Sequence, residues 1–146
     1  MFLEQSQIHN VDSKTLKAIC KLESGHNAYV INVNKSIFDI QRGAHWFDTW
    51  IGANLYMDTI LDPLGLNYDI GICQINTQHL DRLQLDNEDL LDAQKNIEIA
   101  AKIYRYNLTQ CDGNRRCALS MYNTGYKNST IGMKYADKVE SIMRRM

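Results

Sequence analysis

Apolar residues along this chain fall mostly at helical spacing. Between residues 13 and 24, Leu16, Ile19 and Cys20 stand at i, i+3 and i+4, the stripe of one helix face. Asp12 or Ser13 is suited to cap that helix, and Gly25 to stop it. Glu23 continues the stripe at i+7. A carboxyl group therefore falls on the face that should turn inward, where a glutamate is rare without a partner or a task. A second helix is expected over about 45 to 61, carrying Trp46, Phe47, Trp50, Ile51, Asn54, Met57 and Leu61. It ends before Pro63, because a proline disfavours helix in the residue ahead of it. The stretch NYDIGICQIN, 67 to 76, loses the helical period and contains a glycine; it reads as a loop or a short hairpin. Thr77 is expected to cap a short helix through Leu83. Ile97, Ala100, Ala101, Tyr104 and Leu108 restore helical spacing over about 93 to 109. Further helices are expected over about 114 to 122, ending near Gly125, and over about 131 to 144. No internal repeat, linker or low-complexity tract breaks this pattern. The expected fold is one mainly α domain over 1 to 146.

Composition narrows the class. Apolar residues make up 45% and charged residues 23%, which suits a soluble globular chain. A net charge of -1 gives no electrostatic footprint for nucleic acid or an anionic membrane. No apolar run reaches the roughly 18 residues of a membrane helix, so no membrane insertion is expected. The opening MFLEQSQIHN lacks the basic-then-apolar order of a signal peptide. That leaves a cytoplasmic protein, or a mature form whose signal has been removed.

The cysteines bear on that choice. Cys111 and Cys117 bound the polar, turn-like CDGNRRC. A disulfide closing so short a loop would stabilise the fold by about 2 kcal/mol and favours an oxidising compartment. Two free thiols in a reducing compartment are the alternative. Cys20 and Cys73 lie in apolar settings and read as reduced, buried small hydrophobes. A papain-like nucleophile is the sharper reading, but His9, His26, His45 and His79 form no cysteine-protease motif, and no CxxC zinc spacing is present.

Four short stretches carry the functional signal: KLESG (21 to 25), DIGICQIN (69 to 76), KNIEIAAKIY (95 to 104) and ALSMYNTG (118 to 125). In this order they resemble the lytic transglycosylases with a goose-type-lysozyme-like domain. That family shows a catalytic glutamate followed by serine at a helix end, then a G-[LI]-x-Q-I stretch. A helix opening with Asn-Ile follows, then [AS]-x-Y-N-x-G. The resemblance runs from about residue 13 to 140. Glu23 and Gly71 are 48 residues apart, a longer interval than the common family has. With GLNYDIGICQIN, it resembles the branch attached to type IV secretion and conjugation systems. Cys73 stands where methionine is usual, and Ser120 and Met121 precede the tyrosine in a looser match.

The resemblance implies a lysozyme-like fold with a cleft between the Glu23 helix and the 67 to 76 segment. It implies cleavage of the β-1,4 bond between N-acetylmuramic acid and N-acetylglucosamine, leaving 1,6-anhydromuramyl ends. No cofactor or metal is expected. The implied partners are peptidoglycan glycan strands and other subunits of a secretion or conjugation apparatus, and the implied location is the periplasm. Cleaving a glycoside requires a proton on the leaving oxygen. A glutamate with a reference pKa of about 4.3 is mostly ionised near neutrality, and burial favours the protonated form. The Leu16, Ile19 and Cys20 stripe supplies an apolar wall for Glu23.

By the same resemblance Ser24, Gly71, Gln74, Asn76, Tyr122 and Asn123 are substrate-binding residues. Gly71 would let backbone approach the sugar, and Gln74 and Asn76 would offer amides to hydroxyl and N-acetyl groups. Each has a plainer use: Ser24 orienting the helix end, Gln74 and Asn76 satisfying loop backbone, Tyr122 packing in a core. Trp46 and Trp50, four apart on the expected helix, would form a sugar-stacking wall or, more commonly, pack in the core. Asp69 is the nearby candidate for a second carboxylate. Transglycosylases manage with one, because the muramic acid C6 hydroxyl attacks its own anomeric carbon. An Asp69 in the cleft would instead activate water and make a hydrolytic, phage-type muramidase. A catalytically weak wall-binding scaffold is the third reading, against which the intact Glu23, Gln74 and Tyr122 argue.

Overall fold

A computed structural model describes residues 1–36 and 40–146. The fold is mainly α with one small sheet. The chain forms two compact units, Met1–Leu22 with Ile97–Met146, and Glu23–Asn96.

The first unit is helical. Helix α1, Phe2–His9, was hidden in a stretch whose polar composition gives no apolar stripe; Asn10 in the left-handed conformation, φ 53°, ends it. Helix α2 spans Ser13–Ser24. Asp12 caps it, with Oδ2 accepting from Thr15 N at 2.9 Å and Thr15 Oγ1 at 2.6 Å, which satisfies orphan donors of the first turn. Leu16, Ala18, Ile19 and Cys20 are wholly buried. Helix α5, Ala93–Gln110, buries Ile97, Ala100, Ala101 and Tyr104. The turn after it is closed by the Cys111–Cys117 disulfide. Helix α6, Arg115–Thr124, begins at an Asn114 cap and ends at Gly125, φ 79°. Helix α7, Thr130–Arg144, begins at a Ser129 cap. The two cross closely at Gly132, where a Cβ would lie 2.0 Å from Ser120 Oγ.

The second unit is built on a sheet. Strands β1 (Val30–Val33), β2 (Gly43–Trp46), β3 (Tyr68–Ile70) and β4 (Ile75–Asn76) pair antiparallel in the order β2-β1-β3-β4. The registers are Ile31↔His45, Ile31↔Ile70 and Ile70↔Ile75. Alternation then puts Ile31, Val33, Tyr68, Ile70 and Ile75 on one face, and all five are buried. The NYDIGICQIN stretch is thus a hairpin.

Three expectations need correction. The helix over 45 to 61 is a strand followed by helix α3, Trp50–Tyr56, capped by Thr49, and a π-turn Met57–Leu61. Trp46 therefore lies on β2 and Trp50 on α3, so they share no helix face. Nor do they pack in a core, since Trp46 is 60% and Trp50 42% exposed. The strand owes its existence to pairing with β1, which helical periodicity cannot register. Asn76, not Thr77, caps the 3₁₀ turn Thr77–His79 that leads into α4, Leu80–Leu83. Cys20 and Cys73 are disulfide-bonded rather than reduced. A half-cystine is as readily buried as a small hydrophobe, so an apolar setting does not separate the two states.

Candidate active site

Glu23 is the penultimate residue of α2 and is partly exposed. Its helix ends abruptly because Gly25 takes φ +64°, a conformation that suits glycine. Ser24 is buried. Its hydroxyl donates to Ile72 O at 2.6 Å and accepts from Asn27 N at 3.0 Å. The end of α2 next to Glu23 is thereby tied to the Gly71–Gln74 turn.

That turn is held by residues the chain supplies from far away. Gly71 takes φ +82°, and a Cβ there would lie 2.4 Å from both Leu90 O and Asn96 Nδ2. The close approach that requires glycine comes from the protein's own packing. Asn96 is wholly buried. Its Oδ1 accepts from Cys73 N at 3.0 Å, and its Nδ2 donates to Ile70 O and Leu90 O, each at 2.8 Å. The Asn-Ile pair at this helix start is visible in the sequence, but the task of Asn96 is not. An amide four residues ahead of Ala100, on the apolar stripe of α5, was the available signal.

Gln74 adopts a left-handed conformation, φ 56°, uncommon for a side chain of its size. Its Nε2 donates to Val30 O and Gly71 O, both at 3.0 Å. Both amide hydrogens are thus used on main-chain carbonyls, and Oε1 is the acceptor left over among the described contacts. Asn76 Oδ1 accepts from Gln78 N at 2.9 Å, and its Nδ2 donates to Asp69 Oδ1 at 2.8 Å. Asp69 Oδ2 accepts from Asn32 Nδ2 at 3.4 Å. Burial pushes the Asp69 carboxyl above its ordinary value, against the hydrogen bonds from Asn76, Asn32 and Asn34 that favour the charged form.

The unit 23–96 thus contains Glu23, Ser24, Asp69, Gly71, Gln74 and Asn76. It links Ser24 to the Gly71–Gln74 turn, and Asp69 to Asn76. Tyr122 and Asn123 belong to the other unit, in the last turn of α6. Tyr122 is partly exposed and Asn123 exposed. Their turn is fixed by Thr124 Oγ1 donating to Ser120 O at 2.9 Å and by Ser120 Oγ donating to Tyr126 O at 2.7 Å. Among the described residues, no group of three or more His, Cys, Asp or Glu side chains converges as a metal site, and no helix is long and apolar enough to cross a membrane.

The family model of the Transglycosylase SLT domain matches residues 1–142. The chain has no match among curated proteins or solved structures.

Proposed function

This chain belongs to the Transglycosylase SLT domain family, and from that premise we propose that it is a lytic transglycosylase with Glu23 as its acid. The family is lysozyme-like and its substrate is peptidoglycan. In our reading the enzyme cleaves the β-1,4 bond from N-acetylmuramic acid to N-acetylglucosamine. Glu23 gives its proton to the glycosidic oxygen as that bond breaks. The C6 hydroxyl of the same muramic acid bonds to the anomeric carbon, and its proton returns to the Glu23 carboxylate. The product is a 1,6-anhydro end, and no water is consumed.

The observation that carries this reading is the tie between Ser24 and the Gly71–Gln74 turn, 2.6 Å from Ser24 Oγ to Ile72 O. It fixes the helix end bearing the one glutamate that matches the acid position. The only proton of Ser24 is used in that bond, so Ser24 acts by positioning Glu23. Gly71 serves the same turn through close packing against Asn96 and Leu90. Gln74 meets the substrate through Oε1, an acceptor for sugar hydroxyl or N-acetyl N–H groups. By resemblance Tyr122 and Asn123 are also substrate-binding residues. The wider role is local opening of the wall for a type IV secretion or conjugation apparatus, in contact with its other subunits. The GLNYDIGICQIN stretch supports that role, and the disulfides suit an oxidising compartment such as the periplasm.

One observation favours a second reading. Asp69 is held by asparagines on the sheet, and burial raises its carboxyl toward the range where a general base works best. As a base for attacking water, it would make the enzyme a hydrolytic muramidase.

The acid assignment is tested by Glu23→Gln, which keeps size and removes the transferable proton. Cleavage of purified wall should fall by about 10²–10⁴-fold, the contribution of a general acid, with the melting temperature unchanged. Activity within about tenfold of wild type would remove Glu23 from the role.

A further inference from the structure

The sheet of the 23–96 unit has a second face, on which Val30 is buried and the other residues are partly or fully exposed. The registers Asn32↔Ala44, Asn32↔Asp69 and Asp69↔Asn76 set Ala44, Asn32, Asp69 and Asn76 in one row across all four strands. Directly paired residues of antiparallel strands share a face, so this row lies opposite the buried Ile31, Ile70 and Ile75. Ala44 is exposed, and Asn32, Asp69 and Asn76 are partly exposed. Trp46 lies on the same face, opposite Val30. His45 beside it turns to the other side, where its ring meets Tyr56 at a centroid distance of 5.4 Å. Trp46 stays 60% exposed.

Burial would be the ordinary fate of a tryptophan on a sheet. An exposed one beside a polar row is a different object. The row spans three inter-strand steps of about 4.8 Å, roughly 14 Å in all. That is long enough for more than one pyranose ring. Its hydrogen-bonding capacity is also only partly used. Asn32 Nδ2 donates to Asn34 Oδ1 at 3.1 Å and to Asp69 Oδ2 at 3.4 Å, so both of its hydrogens are used within the cluster. Among the described contacts, Asn32 Oδ1 is left as an acceptor, Asp69 keeps acceptor capacity beyond its bonds from Asn76, Asn32 and Asn34, and Asn76 Nδ2 keeps one hydrogen. Hydroxyl and N-acetyl N–H groups are their natural complement. The indole offers an apolar plate to the C–H face of a sugar ring. Val30, opposite Trp46, gives its carbonyl to Gln74 Nε2 and to Gly71 N, so the strand paired with Trp46 is bonded to the turn that carries Gln74.

We propose that this sheet face is a saccharide subsite for an N-acetylated aminosugar unit, with Trp46 as its stacking residue and Asn32 as a hydrogen-bond acceptor. The proposal rests on the peptidoglycan reading and extends it, since neither residue belongs to the motif stretches. Trp50, on α3 and outside the row, has no part in it.

The test uses full-length Glu23→Gln protein and a soluble hexamer of β-1,4-linked N-acetylglucosamine, with affinity measured by calorimetry. Adding Trp46→Ala should weaken binding by about tenfold, and Trp46→Phe should restore most of it. Trp50→Ala should change affinity by less than about twofold. Since Trp46 is exposed, circular dichroism melts should be unchanged. Trp46→Ala binding within about twofold of its parent, an equal loss in Trp50→Ala, or no hexamer binding by the parent would each overturn the subsite. Such a result, with cleavage still lost in Glu23→Gln, would leave the transglycosylase reading standing. Cleavage that survives Glu23→Gln would strike that reading instead, whatever Trp46 does.

Discussion

At the scale of single residues, Asn96 shows how a buried amide substitutes for secondary structure. The Gly71–Gln74 turn leaves main-chain groups that no ladder satisfies. Asn96 meets one of them, Cys73 N, and also binds Ile70 O just before the turn and Leu90 O of a neighbouring segment. Removing the amide leaves buried polar groups without partners, each costing about 1–3 kcal/mol. Asn96→Ala should therefore lose about 3 kcal/mol in urea denaturation, with a matching fall in wall cleavage as the turn loosens. A loss below about 1 kcal/mol would mean that water or neighbours replace the amide. Gly71 explains the tightness of this arrangement, because its missing Cβ is where Asn96 Nδ2 sits.

Between elements, the α6 and α7 pair is held by charge as well as packing. Arg115 Nη2 reaches Glu140 Oε2 at 2.6 Å, Arg116 also bonds Glu140, and Arg116 Nη2 reaches Asp137 Oδ1 at 2.7 Å. Burial works to raise the Glu140 carboxyl, but Arg115 and Arg116 outweigh it and hold it below its ordinary value of 4.5. A carboxyl lowered by folding adds stability above its unfolded value, and that stability is lost as pH falls through the folded one. Glu140→Gln should thus cost about 0.5–1 kcal/mol near pH 7, since the arginines are half exposed. At acid pH, below the unfolded value of 4.5, it should cost less, because the stability from the pair is lost as pH falls. Denaturant melts at the two pH values measure this. An equal cost at both would assign Glu140 to packing instead of charge.

For the whole molecule, the question is which nucleophile completes the cleavage. An intramolecular hydroxyl in good geometry has an effective molarity of roughly 10⁵ M or more, far above that of water. It needs no second carboxylate. Digestion of purified wall in oxygen-18 water should therefore release fragments that carry no label and are lighter than hydrolysed ends by one water. A majority of labelled, reducing ends would make water the nucleophile. Asp69, with its asparagine supports, would then be the base, and the muramidase reading would replace the transglycosylase one.

The sequence by itself determined what depends on neighbours a few residues away. The stripe and caps of α2, the long α5 and the stops at Gly25 and Gly125 all arise from local spacing and from glycines that alone tolerate their turns with ease. The order of the motif stretches was likewise readable without coordinates. Tertiary structure decided the rest. Trp46 became a strand residue because β1 offered it a pairing edge, and no periodicity within 43 to 61 encodes an edge formed at 30 to 33. The clamp made by Asn96 on a turn 23 residues earlier belongs to the same class. Such contacts join positions distant in the chain, and their free energy is realised only once the intervening loops have closed.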